Sequence, residues 1–235
     1  MRHFLLAVAA VVAAGCSDTQ SATDAGLTGP TGDAATTDAP TTINVDENFD
    51  CAGSFTGSFT NVFVRSGKTC RLQNAKVSGN ILAEDGASLF VTRTRVDGNI
   101  DGVESRTVQV VGGSLGGSIQ IQDGSSPGQI GASVTGGTVL SQGNITIQKL
   151  TTGTIRITDA VLHKGNIQVQ ENVIGSSLDL RRNRVAQNLQ VFVNSGAAAK
   201  VVQGNRVSQT LECKENTLPF TGGPNTAGEA KEQCF

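Results

Sequence analysis

Three acidic residues, Asp85, Glu104 and Asp123, recur at a spacing of nineteen. In a chain that coiled with that period their carboxylates would stand in one column. Negative charges about 5 Å apart repel unless water or a cation takes up the charge, and such oxygen ligands suit Ca²⁺. Asp85 and Asp123 are each followed by glycine, an ordinary turn pairing, so solvated turn residues are expected and no metal site is assigned. Asp97-Gly-Asn99-Ile-Asp101-Gly102 opens like a calcium loop, but Val108 stands where the loop needs its bidentate Glu. Gly67-Lys68-Thr69 ends like a phosphate-binding loop, yet Val62 stands where that motif needs its first glycine. His163 has no second histidine downstream of residue 3 and lacks the partners of a triad or a zinc site. It is expected at an exposed corner. Arg181, Arg182, Arg184 and Arg206 could form a small basic patch, read here as a solvated face, with an anionic glycan or lipid headgroup as the alternative. No catalytic, cofactor-binding or metal-ligating residue follows, no cofactor is implied, and the chain is not expected to be an enzyme.

The elements that would carry these residues are legible from periodicity. From Leu140 to Asn216 the chain falls into seven consecutive blocks of eleven residues. Apolar residues recur two apart in six of them, as in Ile145/Ile147, Ile155/Ile157, Ile167/Val169, Leu178/Leu180, Leu189/Val191 and Leu211/Cys213. The sixth block breaks the pattern with Lys200 beside Val202. A two-residue beat inside a fixed longer repeat marks short strands stacked coil on coil. Upstream the repeat is nineteen, seen in Val77-Ser-Gly-Asn80-Ile81, Val96-Asp-Gly-Asn99-Ile100 and Leu115-Gly-Gly-Ser118-Ile119. Downstream, Asn144, Asn166, Asn188 and Thr210 keep a spacing of twenty-two. Both periods suit one coil of a parallel β-helix, with each eleven-residue block making about half a turn. The registers slip between Ser125 and Gly137, where a loop is expected. Asn at 172, 183, 194, 205 and 216 would fall at corners and form stacked amide ladders. The fold expected is therefore an all-β, single-stranded parallel β-helix over residues 45–235, right-handed, and tied at its ends by disulfides.

Composition agrees. The 29 Gly, 9 Phe and absence of Trp and Tyr in 235 residues describe thin, turn-rich layers. The net charge of −2 carries no concentrated basic stripe, so no nucleic-acid partner is expected. Four cysteines follow Cys16: Cys51 and Cys70 near one end of the repeats, Cys213 and Cys234 near the other. Cys70 and Cys213 would be about seven coils apart, roughly 34 Å at a strand spacing of about 4.8 Å. Disulfide partners need Cα atoms within about 7 Å, which leaves Cys51–Cys70 and Cys213–Cys234. Such bridges agree with an oxidising, exported location.

The N-terminus carries Arg2, an apolar run from Phe4 to Ala14, and then Cys16. That is a secretory signal, too short to span a membrane. Ala13-Ala14-Gly15-Cys16 resembles the lipobox of bacterial lipoproteins, with alanine at 13 in place of the commoner leucine. The resemblance implies cleavage after residue 15, diacylglycerol on the Cys16 sulfur, and acylation of the new amino terminus by palmitate. The lipid bilayer would then be a partner through Cys16, and Ser17 resembles the sorting signal for the outer membrane. Residues 16–44, rich in Ser, Thr, Ala, Asp, Gly and Pro, read as a disordered acidic tether.

Two cysteine-bearing ends and the coils between them, from Cys51-Ala-Gly-Ser-Phe-Thr-Gly-Ser through Gly67-Lys-Thr-Cys70 to Leu211-Glu-Cys213 and Gly222-Gly-Pro-Asn225, resemble a group of uncharacterised bacterial exported β-helix lipoproteins. More distantly the coils resemble bactofilins, polymer-forming β-helix proteins, from which this chain departs in its disulfides and export signal. The first resemblance implies a fold and a location. The function expected is that of a membrane-anchored, exported structural or interaction protein, monomeric and displayed on its tether. Two alternatives are a polysaccharide-binding or polysaccharide-cleaving β-helix, which the lack of Trp and Tyr disfavours, and a polymer-forming scaffold.

Overall fold

The structure, a computed structural model, describes residues 39–217 and 219–234. The expected signal peptide, Cys16 and the tether as far as residue 38 lie outside the described residues. The described residues form strands joined by turns, bends and short irregular stretches, with no helix among them. The strands pair in parallel and wind into a solenoid of about nine turns. The first strand is Thr41–Asp50, a few residues ahead of the expected domain start.

Each coil has three faces. On the first, Leu72, Val91, Val110, Val134, Ile157, Leu180 and Val202 lie in register on successive turns. On the second, Val77, Val96, Leu115, Leu140, Leu162, Val185 and Val207 lie in register, in short two-residue strands at Val77, Leu140, Leu162 and Val185. On the third, Ile81, Ile100, Ile119, Ile145, Ile167, Leu189 and Leu211 stack. All of these residues are buried. Alternation with polar neighbours follows from the period-2 geometry of a strand, which sends successive side chains to opposite sides. One coil alone leaves its apolar row facing solvent, so each is stable only between neighbours.

The change from nineteen to twenty-two residues per coil has a local cause. Between the third face and the next first face, Ile100 and Val108 are eight positions apart, whereas Leu189 and Lys200 are eleven apart. The three added residues form an extra rung at that corner, where Ser125, Thr151, Val173 and Ser195 pair in succession. The transition is not a loop. Ser125–Thr135 is a strand whose register shifts between Ser126 and Ile130 and again between Ile130 and Ala132. Bulges absorb the mismatch while the backbone keeps its ladder partners, which a loop would forfeit.

The corners are built from amides. At the corner between the second and third faces, Asn80 N donates to Asn61 Oδ1 at 2.9 Å, and the pattern runs through Asn99, Ser118, Asn144, Asn166 and Asn188 to Thr210. Here the later coil donates to the earlier. Two buried ladders run the other way. Asn172 Nδ2 donates to Asn194 Oδ1 at 2.8 Å and Asn194 Nδ2 to Asn216 Oδ1 at 2.9 Å. At another corner Asn183 Nδ2 donates to Asn205 Oδ1 at 3.0 Å and Asn205 Nδ2 to Asn225 Oδ1 at 3.1 Å. The Gly-Asn-Ile motif also acquires its reason. A Cβ at Gly79, Gly98 or Gly117 would collide with the ladder side chain of the coil before it, Asn61, Asn80 or Asn99.

The disulfides close as expected. Cys51–Cys70 and Cys213–Cys234 have Cα separations of 5.4 and 5.2 Å, and all four residues are buried. Each ties an end coil to its neighbour.

Candidate interaction surface

The residues singled out for chemistry do not converge. Glu104 and Asp123 occupy left-handed corner positions, with φ of 54° and 58°. In the preceding coil the left-handed residue is Gly86 (φ 64°), not Asp85, so the backbone at Asp85 differs from that at its expected column-mates. All three carboxylates are exposed, and the next residue in the corner column is Lys149 (φ 55°). Among the described residues no group of three or more His, Cys, Asp or Glu is placed to hold a metal ion.

The calcium-like loop is dismantled by its own coil. Asn99 Oδ1 accepts Ser118 N at 2.8 Å, and Asp97 accepts Arg95 Nε at 2.7 Å. Asp101 lies on the outer side of the third face, where burial raises its carboxyl above the ordinary value. Asn99 and Asp97 are therefore engaged with separate partners. Lys68 lies in the turn that precedes Thr69–Gln73, and His163 is an exposed corner residue.

The four arginines divide. Arg182 reaches both oxygens of Asp159 at 2.7 Å, which raises the guanidinium pKa above its ordinary value and lowers that of the carboxyl. Arg181 lies 2.8 Å from Asp179, which Arg156 approaches at 3.7 Å. Arg184 and Arg206 are in register on adjacent coils and exposed. Among the described residues neither guanidinium has a partner.

No family model, curated protein or solved structure matches this chain.

An ordered polar surface lies on the third face, apart from the residues singled out for chemistry. On the third face, outward side chains form a file of glutamines. Gln120 Nε2 donates to Gln122 Oε1 at 2.8 Å, and Gln148 Nε2 to the same oxygen at 3.2 Å. Gln170 Nε2 donates to Gln148 Oε1 at 3.0 Å, and Gln168 Nε2 to Gln170 Oε1 at 2.8 Å. A glutamine amide has two donor hydrogens and two acceptor lone pairs, so groups remain for a partner. The file spans three coils and ends at half-buried Phe192, the register partner of Gln170. The signal was present in the strands IQIQ, ITIQ and IQVQ, whose outward positions complement the apolar beat.

Lys200 is the second feature that sequence reasoning left without a role. It points into the interior with 0% exposure. Its Nζ donates to Gly196 O at 2.9 Å, Ala198 O at 3.1 Å and Thr217 Oγ1 at 3.0 Å. Burial lowers its pKa from the ordinary value. The irregular stretch ahead of it leaves carbonyls turned inward, and the ammonium satisfies them.

Proposed function

We propose that this protein is an exported, membrane-anchored scaffold: a rigid β-helix held off the outer membrane by a lipidated, acidic tether, whose task is structural or interactive and not catalytic. The observation that carries this reading is the pair of buried disulfides, one at each end of an otherwise continuous solenoid. Disulfides persist in oxidising compartments, and here they reinforce the two places where a stacked repeat frays and where open edges recruit other strands. The lipobox-like Ala13-Ala14-Gly15-Cys16 supports the anchor, and two or more acyl chains hold a membrane stably where one is marginal. The glutamine file supplies a partner surface of fixed geometry, which suits recognition through hydrogen bonds.

The test is metabolic labelling with a palmitate analogue, combined with membrane fractionation and thiol alkylation. The wild-type chain is expected to incorporate label, fractionate with outer membrane and resist alkylation at all four downstream cysteines. Cys16→Ala is expected to lose both label and membrane. A wild-type chain recovered unlabelled from the cytoplasm with reactive thiols would overturn the proposal.

A further inference from the structure

We propose that Arg184 and Arg206 form a binding site for a phosphate group. Arg184 lies in the strand Arg184–Val185 and Arg206 opens the strand Arg206–Lys214, with Val185 and Val207 buried beside them on the second face and the arginines turned outward. Adjacent rungs of a parallel sheet stand about 4.8 Å apart. Two like charges at that spacing repel, and neighbouring carboxylates would ordinarily relieve them.

The chain has that remedy elsewhere and omits it here. Lys76 and Arg95 hold the same outward positions in the same column of earlier coils, and Arg95 is neutralised by Asp97, two residues on, at 2.7 Å. Two residues on from Arg184 stands Ala186, and from Arg206, Ser208. Of the acids on the surrounding coils, Asp159 is held by Arg182, Asp179 by Arg181 and Arg156, and Glu229 by Lys231 at 3.0 Å. Lys164, at the exposed corner of the preceding coil, adds positive charge and is in no ion pair among the described residues.

A carboxylate is filled by a single guanidinium fork. A phosphate has oxygens enough to accept one fork on each side, so it fits two stacked arginines better. Its source could be free inorganic phosphate or a phospholipid headgroup. The chemistry is the same, and the experiment separates the two.

The full chain bearing Cys16→Ser is used, so that no acyl group at that position can hold it to lipid. Inorganic phosphate is titrated by calorimetry, and co-sedimentation is measured with vesicles of phosphatidylcholine alone or with phosphatidylglycerol. Saturable phosphate binding is expected, weakened about tenfold or more by Arg184→Gln with Arg206→Gln. The doubly lysine-substituted chain keeps the charge but loses the forks and should fall between. Arg181→Gln, an arginine already paired, should leave binding unchanged. Sedimentation with phosphatidylglycerol vesicles that free phosphate competes away would identify the headgroup as source, whereas phosphate binding without sedimentation would identify the soluble ion. If no saturable binding occurs, or if Arg181→Gln weakens it as much as the double variant, the site does not exist. Circular dichroism of each variant shows that the fold is retained.

Discussion

Asn172 and Asn194 stand one coil apart, with Asn172 Nδ2 donating to Asn194 Oδ1 at 2.8 Å and both residues shut off from solvent. Asn194 Oδ1 also accepts Asn172 N at 3.3 Å, while its own Nδ2 serves Asn216 and Val169 O. One side chain thus satisfies polar groups on the coils before and after its own.

Asn194→Ala is expected to destabilise the fold by about 2 to 4 kcal/mol, because it orphans buried donors and an acceptor together. Urea unfolding of the oxidised protein measures it. Asn188→Ala, at a part-buried corner where water can substitute, should cost clearly less.

Lys200 gives a pH signature. Its folded pKa lies below the ordinary lysine value of 10.5 through burial. Between the folded and unfolded values the unfolded chain holds a proton that the folded chain has released, so stability rises with pH in that window. Denaturation of wild type and Lys200→Met at a series of alkaline pH values should show the difference moving in favour of the wild type as pH approaches 10.5. A constant difference would contradict the buried, desolvated placement.

Each disulfide closes a loop of 19 or 21 residues, worth about 3 kcal/mol in the chain-entropy account. Replacing Cys51 and Cys70 together by Ser, or Cys213 and Cys234, should lower stability by about that much. Hydrogen exchange should show protection lost first in the coils at the altered end, since a solenoid frays from its termini.

Val193 is β-branched, lies at φ 55° and is 47% exposed. Its corner column otherwise holds Glu104, Asp123, Lys149, Glu171 and Glu215, none of them branched at Cβ. A left-handed conformation costs an L-residue about 1 to 2 kcal/mol, and Asn or Gly far less. Val193→Asn is therefore expected to raise stability by about 1 kcal/mol, measurable as a higher melting temperature.

Much of this was written in the residues themselves. The paired Ile, Val and Leu positions determined strands rather than helices, because only a period of two buries them on one side. The nineteen- and twenty-two-residue repeats determined which residues share a column, and the coil spacing determined which cysteines could meet. Asn172, Asn183, Asn194, Asn205 and Asn216 could be assigned to corner ladders for the same reason. Other properties depend on which way a side chain leaves the backbone, which a repeat count does not carry. Asp85 drops out of the corner column because Gly86 takes the left-handed turn instead. Arg181 meets Asp179 on its own strand, whereas Arg182 finds Asp159 on the adjacent coil, 23 positions away, and Arg184 and Arg206 find no acid by either route. Tertiary structure also turned Lys200 inward and joined the glutamines into a file. In a solenoid the interior, the file and the ion pairs exist only between coils, so a single repeat contains the residues but not the contacts.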